Sequence, residues 1–465
     1  MVGVAEALNP RSIAVIGASR NPEKIGYVVL KQLLSKFRGK LYPINPSADE
    51  ILGLKCYKSI MEVPDVVDLA VIAVPADHVI EVIKECGAKG VKAAVVLSSG
   101  FAEIGNRELE ERLVEEARKG GVRIIGPNCM GIFDPGRGID MLFVKEELLP
   151  RCKPGSIALL SQSGSVGTNM LSMLRRMNLG ISTFVSYGNK ADVDEADLLD
   201  VLADDERTRV ITIYLEGVRD GRRLMNAIRR IRKPVVVLKV GRSEAGERAV
   251  ASHTGSLAGS SRLYIAALRQ AGAVIVDSME ELIDASKALS MQPPVMGKRV
   301  FIVTNGGGYG IMAVDELERR GMVVPKTPDE IKAVLKKEFP PYYSLENPID
   351  LTANSTPDQY RMVLDILCNS EVCDAILVIP LMGIPNFDPM EVAKVISSMK
   401  CKKPVVVSFV SHTEKTDKAK EIIEGSGIPV YESPERAARA IYFLYEYGRS
   451  YSGRGEADIP HSYRR

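Results

Sequence analysis

A single histidine, His253, stands in a run of small and hydroxyl-bearing residues, ASHTGSLAGS at positions 251–260, in a chain with only four histidines. A neutral imidazole can attack phosphorus and carry a phosphoryl group. Glycines at positions 241, 246, 255 and 259 flank the histidine and predict a mobile segment instead of a packed one. The run by itself also fits a surface or structural histidine, so its interpretation depends on the residues around it.

Two other motifs supply groups that a phosphoryl-carrying histidine needs. In LLSQSGSVGTNML, residues Ser163, Gly164 and Ser165 lie where a strand becomes a helix, and the free N–H groups and dipole of a helix start favour an anion. An ordinary N-cap is the alternative for this motif. ITIYLEG places Glu216 at the end of a neighbouring strand, where a carboxylate can bind the second ring nitrogen and stabilise the charge that develops.

A later part of the chain provides an internal control for this interpretation. It contains IPLMG, with Met382 in the place that Glu216 has in IYLEG. Its own histidine, His412 in SHTEK, directly follows a predicted strand and lacks the glycine-rich flanks. We therefore expect His412 to be structural.

One supersecondary unit recurs along the chain: an apolar run, a glycine-rich turn and a helical segment. It begins at Arg11 (RSIAVIGASRN), Gly155 (GSIALLSQSGS) and Lys298 (KRVFIVTNGGG), and each copy predicts a buried parallel strand that leads into a helix. The second and third copies are followed by similar strands in the same order, which indicates an internal duplication. The sequence predicts three α/β domains at 1–147, 148–292 and 293–460, with a tail at 461–465.

The first predicted domain has five strand-like runs, and ligands of such sheets bind at the carboxyl ends of the strands. The first turn, GASRNPEKIG, lacks the G-x-G-x-x-G spacing, and the second strand ends in Asn45-Pro46 where an NAD site has an acidic residue. This disfavours NAD and leaves coenzyme A (CoA) open, with Arg20 and Lys24 as candidate phosphate partners. The glycines could equally serve only to allow tight turns.

Composition excludes several classes of function. The 61 Lys and Arg nearly balance the 59 Asp and Glu, which argues against a nucleic-acid or membrane surface as partner. The seven cysteines have no C-x-x-C spacing, so a disulfide framework or zinc site is disfavoured and a reducing cytoplasm fits best. No leader-like or 18-residue apolar segment is present, so a soluble, unexported chain is expected. G-x-x-x-x-G-K-[ST] does not occur, so no P-loop ATP site is predicted.

Taken together, these motifs resemble the α subunit of NDP-forming acyl-CoA synthetases of the ADP-forming acetate–CoA ligase type, in the succinyl-CoA synthetase superfamily. IAVIGAS, YPINP and GPNCMGI match its CoA-binding domain, SQSGSVG, YLEG and SHTGSLAG its ligase domain, and NGGGYG and NPIDLT a third ligase-like domain. The resemblance implies a Rossmann-like CoA-binding domain followed by two duplicated flavodoxin-like, parallel-sheet domains. It implies His253 as phosphohistidine, Glu216 as its partner, and Ser163, Gly164 and Ser165 at the phosphate. The strand ends implied to line the CoA site are Gly17, Ala18, Ser19, Asn45, Pro46, Val74, Pro75, Ser98, Gly100 and Asn128, and Arg20 and Lys24 complete the candidate CoA site as phosphate partners.

The resemblance also implies a reaction sequence. Phosphate converts acyl-CoA to acyl phosphate and CoA, the acyl phosphate phosphorylates His253, and phosphohistidine phosphorylates ADP or GDP with Mg²⁺ at a separate ATP-grasp β subunit. An α2β2 heterotetramer in the cytoplasm is the implied form. SYGNKADVDEADLL suggests an acyl-pocket wall with Asn189 and Asp192. The alternatives are a non-catalytic CoA- or dinucleotide-sensing scaffold and an NAD-linked oxidoreductase.

Overall fold

A computed structural model describes residues 3–254, 261–381, 387–411 and 413–451. The chain divides into two compact units, Met1–Met279 and Glu280–Arg465. The first unit contains two large sheets and the second unit contains one. No helix in the described ranges is long and apolar enough to cross a membrane. The predicted domain boundaries near 147 and 292 stay predictions.

The first sheet is built from the strand–helix repeats that the sequence predicts. In chain order its elements are α1 (Val4–Leu8), β1 (Ser12–Ile16), α2 (Ile25–Lys36), β2 (Lys40–Ile44), the hairpin strands β3 (Glu50–Ile51) and β4 (Leu54–Lys55), β5 (Leu69–Ile72), α3 (Ala76–Lys89), β6 (Ala93–Val96), α4 (Arg107–Gly120) and β7 (Arg123–Ile125). Five strands pair in parallel in the order β2-β1-β5-β6-β7. Strands β1, β5 and β6 are buried along their whole length, which explains their continuous apolar runs.

The second sheet has seven strands, and its elements carry the remaining predicted motifs of the first unit. They are β8 (Gly131–Asp134), β9 (Ile139–Asp140), β10 (Pro154–Ser161), α5 (Gly164–Arg176), β11 (Ile181–Ser186), α6 (Glu195–Leu202), β12 (Val210–Leu215), α7 (Gly221–Arg230), β13 (Val235–Lys239), α8 (Glu244–Thr254), α9 (Ser261–Ala271) and β14 (Val274–Val276). The strand order is β14-β13-β12-β10-β11-β8-β9. Strand β8 pairs antiparallel with β11, so the segment that follows the first sheet extends the second.

The third sheet lies in the second unit. From α10 onward the elements are α10 (Met279–Met291), β15 (Val300–Thr304), α11 (Gly307–Arg319), α12 (Asp329–Glu338), β16 (Ile349–Asp350), α13 (Pro357–Asn369), β17 (Ala375–Ile379), α14 (Pro389–Ser397), β18 (Val405–Ser408), α15 (Glu414–Gly425), β19 (Val430–Tyr431) and α16 (Pro434–Tyr451). Its parallel order, β16-β15-β17-β18-β19, repeats the order β11-β10-β12-β13-β14 of the second sheet. Both are the 2-1-3-4-5 order of flavodoxin-like sheets, which confirms the predicted duplication.

One cysteine pair differs from the expectation of free thiols. Cys368 in α13 and Cys401 before β18 form a disulfide across 33 residues of sequence. The other five cysteines are free and buried. Cysteine spacing did not indicate the pair, because tertiary packing brings the end of α13 next to the segment before β18.

Candidate active site

A cavity of about 870 Å³ lies at the carboxyl ends of the first sheet and extends to the start of helix α5. Most of the residues proposed to bind CoA line it: Gly17, Ala18, Ser19, Lys24, Asn45, Pro46, Val74, Pro75, Ser98 and Asn128. Two proposed members have other contacts. The guanidinium of Arg20 donates to the carbonyl of Ser47 at 3.1 Å, and the N–H of Gly100 donates to the carboxylate of Glu103 at 2.5 Å.

The turn after β1 is shaped by close backbone contacts. Gly17 has φ +87°, and a Cβ there would lie 2.6 Å from the carbonyl oxygen of Ala73. A Cβ on Gly26 would lie 2.0 Å from the carbonyl oxygen of Gly17. Asn45 Nδ2 donates to the carbonyl of Ala18 at 2.6 Å, so Asn45 braces this turn as well as lining the cavity. The glycines therefore meet the steric need for tight turns, and the same turns form the cavity wall.

The fourth and fifth strand ends connect the first sheet with the second. Asn128 has φ +57° and donates its N–H to the carbonyl of Ser98 at 2.9 Å. Its Nδ2 donates to Asn189 Oδ1 at 3.3 Å. Asn189 also donates its own N–H to the carbonyl of Pro127 at 3.0 Å, and a Cβ on Gly188 would lie 2.2 Å from that oxygen. This close contact places the segment after β11 in the cavity wall.

The two proposed acyl-pocket residues have different surroundings. Asn189 lines the cavity, and its Nδ2 donates to the carboxylates of Glu103 at 2.6 Å and Glu110 at 2.8 Å. Asp192 instead accepts hydrogen bonds from Arg123 Nε at 2.8 Å and from the N–H of Ile124 at 2.9 Å. Asp192 thus holds two segments together, and only Asn189 is placed where a ligand in the cavity could touch it.

The pKa values of Glu103 and Glu110 shift in opposite directions, although the side-chain amide of Asn189 donates to both carboxylates. Burial opposes ionisation of Glu103, but hydrogen bonds from Gly100 and Asn189 outweigh it and lower the pKa of that carboxyl. At Glu110 burial prevails and raises the pKa of the carboxyl. Neither residue was predicted from the sequence: Glu110 lies in the charged segment of α4, which is typical of a solvated helix face, and Glu103 lies in the short segment FAEIG, which carries no recognisable motif.

The start of helix α5 presents donors to the same cavity. Ser163 is the N-cap, and its Oγ accepts from the N–H of Val166 at 3.4 Å and lies 3.2 Å from the Oγ of Ser165. Ser163, Gly164 and Ser165 all line the cavity. A Cβ on Gly164 would lie 2.6 Å from Met130 Cγ. The N-cap interpretation therefore describes this turn. The residues of the anion-site interpretation line the cavity, and anion binding there stays a prediction.

Glu216 follows β12 directly, lines the cavity and is 7% exposed. Gln162 Oε1 accepts from the N–H groups of Glu216 at 2.9 Å and Gly217 at 3.1 Å. Burial, together with the neighbouring Glu216 carboxylate that accepts its hydrogen bond, raises the pKa of Tyr214 to about 12. Because β10 and β12 are adjacent, with Ser161 opposite Tyr214, the carboxylate and the start of α5 lie at neighbouring strand ends.

His253 lies in helix α8, near its end at Thr254, and its side chain lies outside the described part of the structure. The segment from 244 to 254 is helical where the glycines predicted a mobile stretch, because EAGERAVASH is rich in helix-forming Ala, Glu and Arg. Gly255 and Gly259 lie in residues 255–260, which are outside the described residues. Met382 and His412 also lie outside the described residues. The predicted role of His412 is therefore not tested.

Three residues around Glu216 escaped the sequence analysis. Gln162, Lys190 and Lys239 bond the backbone at Glu216 or Gly217. A lysine at the end of the apolar run VVVLK could have indicated Lys239, because a charged group next to a buried strand needs partners. In the described ranges, no group of three or more His, Cys, Asp or Glu side chains could hold a metal ion.

Family models match most of the chain. A CoA binding domain matches residues 11–135, a succinyl-CoA ligase like flavodoxin domain matches 154–289, and a ligase-CoA domain matches 300–452. The three models follow the three sheets in order. They support the CoA-binding and ligase-like fold that the sequence predicts.

Known proteins are similar to the chain over nearly its whole length. Acetate–CoA ligase [ADP-forming] I subunit alpha of Pyrococcus furiosus is 42% identical over 96% of this chain and 98% of its own. Acetate–CoA ligase [ADP-forming] of Methanocaldococcus jannaschii is 40% identical over 94% of this chain, which spans 62% of that longer protein.

A solved structure has the same fold. The dinucleotide forming acetyl-coenzyme A synthetase 1 of Candidatus Korarchaeum cryptofilum, in complex with phosphate and ADP, has a TM-score of 0.90 and 42% identity, covering 97% of this chain and 98% of that one. With the cavity, the helix start and Glu216 arranged as described, these likenesses show that the chain belongs to the ADP-forming acetate–CoA ligase family and corresponds to its alpha subunit.

Proposed function

We propose that the chain performs the CoA-dependent and phosphohistidine steps of an ADP-forming acyl-CoA synthetase. The overall reaction converts acyl-CoA, phosphate and ADP into carboxylate, CoA and ATP. One observation carries the proposal: a single cavity is lined by the strand ends of the first sheet, by the start of α5 and by Glu216. A thioester, a phosphate and a carboxylate side chain can therefore meet in one place.

The first step forms acyl phosphate. A phosphate oxygen attacks the thioester carbonyl carbon, the C–S bond breaks, and CoA leaves with its thiol sulfur taking a proton. The N–H groups at the start of α5 and the hydroxyls of Ser163 and Ser165 bind the phosphate. Binding both reactants in one cavity makes the attack effectively intramolecular.

The second step phosphorylates the histidine. A ring nitrogen of His253 attacks phosphorus, the P–O bond to the acyl group breaks, and the carboxylate leaves. Glu216 accepts a hydrogen bond from the other ring N–H and stabilises the cation that forms. The buried hydrogen bonds at Glu216 hold its backbone in place for this contact.

The third step needs a second protein chain. We propose that phosphohistidine passes its phosphoryl group to ADP, or to GDP, on an ATP-grasp β subunit that also holds Mg²⁺, in an α2β2 assembly. The naming of the Pyrococcus relative as an alpha subunit supports a separate partner. Acetate as the acyl group rests on the names of these relatives, and the cytoplasmic location expected from the sequence stays a prediction.

Labelling of the purified full chain tests this function. Incubation with acetyl-CoA and ³²P-phosphate should leave acid-labile, base-stable label on the protein, because phosphohistidine has that stability pattern. His253→Ala should remove the label and leave CoA affinity within about twofold. A wild-type chain that binds CoA but takes up no label would favour the sensing or scaffold alternative. Label that persists in His253→Ala would assign the chemistry to another residue.

A further inference from the structure

The two residues proposed for the histidine phosphorylation step, the attacking His253 and its carboxylate partner Glu216, follow neighbouring strands. Glu216 comes directly after β12, and β13 leads through Gly241 to helix α8 with His253. The strands pair in parallel, with Leu215 opposite Lys239 at their carboxyl ends. The contacts between these two strand ends therefore determine how the carboxylate is placed relative to the histidine segment.

Lys239 joins the two strand ends. Its Nζ donates to the carbonyl of Glu216 at 2.8 Å and to the carbonyl of Val240 at 2.5 Å. The residue is only 3% exposed, and burial lowers the pKa of its ammonium group. Burying an ammonium group costs free energy unless it makes hydrogen bonds. Here two main-chain carbonyls, one after β12 and one after β13, accept those hydrogen bonds.

Other side chains complete the fixation of Glu216. Gln162 Oε1 accepts from the N–H groups of Glu216 and Gly217. The Nζ of Lys190 donates to the carbonyl of Gly217 and pairs with Glu195 at 2.7 Å. Both peptide N–H groups and both carbonyls of this two-residue turn are thus bonded by three side chains. Lys239 differs from the other two because it alone also bonds the strand end that leads to α8.

Further hydrogen bonds hold the carboxyl end of β13 in place. Arg242 Nε donates to the carbonyl of Lys239 at 2.6 Å. The N–H of Ser261, the first residue of α9, donates to the carboxylate of Glu247 at 3.0 Å, and its hydroxyl donates to the carbonyl of Gly241. The start of α8 and the start of α9 are therefore tied to the same strand end that Lys239 joins to Glu216.

We propose that Lys239 is a positioning residue that fixes the Glu216 carboxylate relative to the start of helix α8, which carries His253. This inference rests on the proposed function. Its consequence is specific: loss of the ammonium group slows phosphoryl transfer to the histidine and leaves CoA binding unchanged, because the strand ends of the first sheet do not depend on this contact.

The same strand offers a matched control. Lys233 lies just before β13, at its opposite end, and its Nζ donates to the carbonyls of Leu202 and Asp205, both at 2.7 Å. Burial lowers the pKa of this ammonium group as well. Lys233 thus makes two bonds of the same kind, to carbonyls at the end of α6 and in the turn that follows it, and it does not line the cavity. A purely structural lysine and a positioning lysine can be compared directly.

The test compares Lys239→Met with Lys233→Met in the purified full chain. We measure the rate of protein labelling from acetyl-CoA and ³²P-phosphate by rapid quench, the CoA affinity by calorimetry and the melting temperature. Lys239→Met should label at least 10-fold more slowly, with CoA affinity within about twofold of wild type. Lys233→Met should lower the melting temperature but keep the labelling rate per folded molecule within about twofold.

Lys239→Gln keeps an N–H donor on a shorter side chain, so it should label at a rate between wild type and Lys239→Met; it also serves if the methionine variant does not fold. Equal labelling rates in Lys239→Met or Lys239→Gln and in wild type would overturn the positioning role while leaving the proposed function intact. Absence of label in the wild-type chain would instead contradict the proposed function, and the role of Lys239 with it.

Discussion

At the scale of single residues, Glu216 depends on its neighbours for its placement. Its N–H and carbonyl are both bonded, and Tyr214 donates to its carboxylate. Glu216→Gln keeps the size of the side chain but removes the charge that stabilises a cationic ring. We expect labelling of His253 to slow by about 10- to 100-fold, which corresponds to about 1.4–2.7 kcal/mol of transition-state stabilisation, with unchanged CoA affinity. Rapid-quench labelling measures this rate. Glu244→Gln, at an exposed position of α8, is the control. Equal labelling rates in Glu216→Gln and Glu244→Gln would contradict the proposed role of Glu216.

Asn45 tests the CoA side of the cavity. Its Nδ2 braces the turn after β1 through the carbonyl of Ala18. Asn45→Ala should weaken CoA binding by about 10-fold, because loss of one hydrogen bond and of the turn geometry amounts to about 1–1.5 kcal/mol, while labelling from acetyl phosphate stays near wild type. Calorimetry and labelling give the two readouts. The control Asn369→Ala also removes a side-chain hydrogen bond to a carbonyl and should change neither the CoA affinity nor the labelling. Loss of both CoA binding and labelling in Asn45→Ala would argue against separate CoA and phosphate contacts.

At the scale of elements, the turn from β1 into α2 requires close backbone contact. A Cβ on Gly26 would lie 2.0 Å from the carbonyl oxygen of Gly17, whereas a Cβ on Gly425 meets nothing within 4 Å. Gly26→Ala should lower the free energy of unfolding by about 1–3 kcal/mol, as overpacking does, and should weaken CoA binding because the turn lines the cavity. Gly425→Ala should change unfolding by less than about 1 kcal/mol. Denaturant unfolding measures both; equal stabilities would show that the turn tolerates a Cβ.

Much of this element-scale description could be predicted from the sequence. Continuous apolar runs marked the strands, and parallel pairing brings their carboxyl ends to one edge, so Ser19, Asn45 and Ser98 were found as cavity residues. Tertiary contacts were not predictable in the same way. Asp192 bonds Arg123, and the partners of Lys239 belong to two strand ends; neither arrangement follows from local pattern. The helix around His253 was missed because its flanking glycines outweighed its helix-forming residues in the prediction.

In the whole molecule, the described residues form three large sheets, two of which share a flavodoxin-like topology. The third sheet's copy has Met382 in the sequence position that Glu216 has in the second. This difference supports the proposal that one copy carries the phosphohistidine chemistry, and we propose that nucleotide phosphorylation belongs to a partner chain. The purified chain should therefore bind CoA yet form no ATP from acetyl-CoA, ADP and phosphate. A coupled luminescence assay measures ATP, and ATP synthesis by the chain alone would contradict the need for a partner.

Net ATP formation shows whether His253 is the phosphoryl carrier. It is measured for the chain combined with its copurified partner subunit, in the His253→Ala and His412→Ala variants. We expect His253→Ala to form no ATP while it still binds CoA, because the phosphoryl carrier is missing. His412→Ala should form ATP at the wild-type rate, because the sequence gives that histidine neither a carboxylate partner nor the glycine-rich flanks. A His253→Ala assembly that still couples thioester cleavage to ATP synthesis would show that another group carries the phosphoryl group.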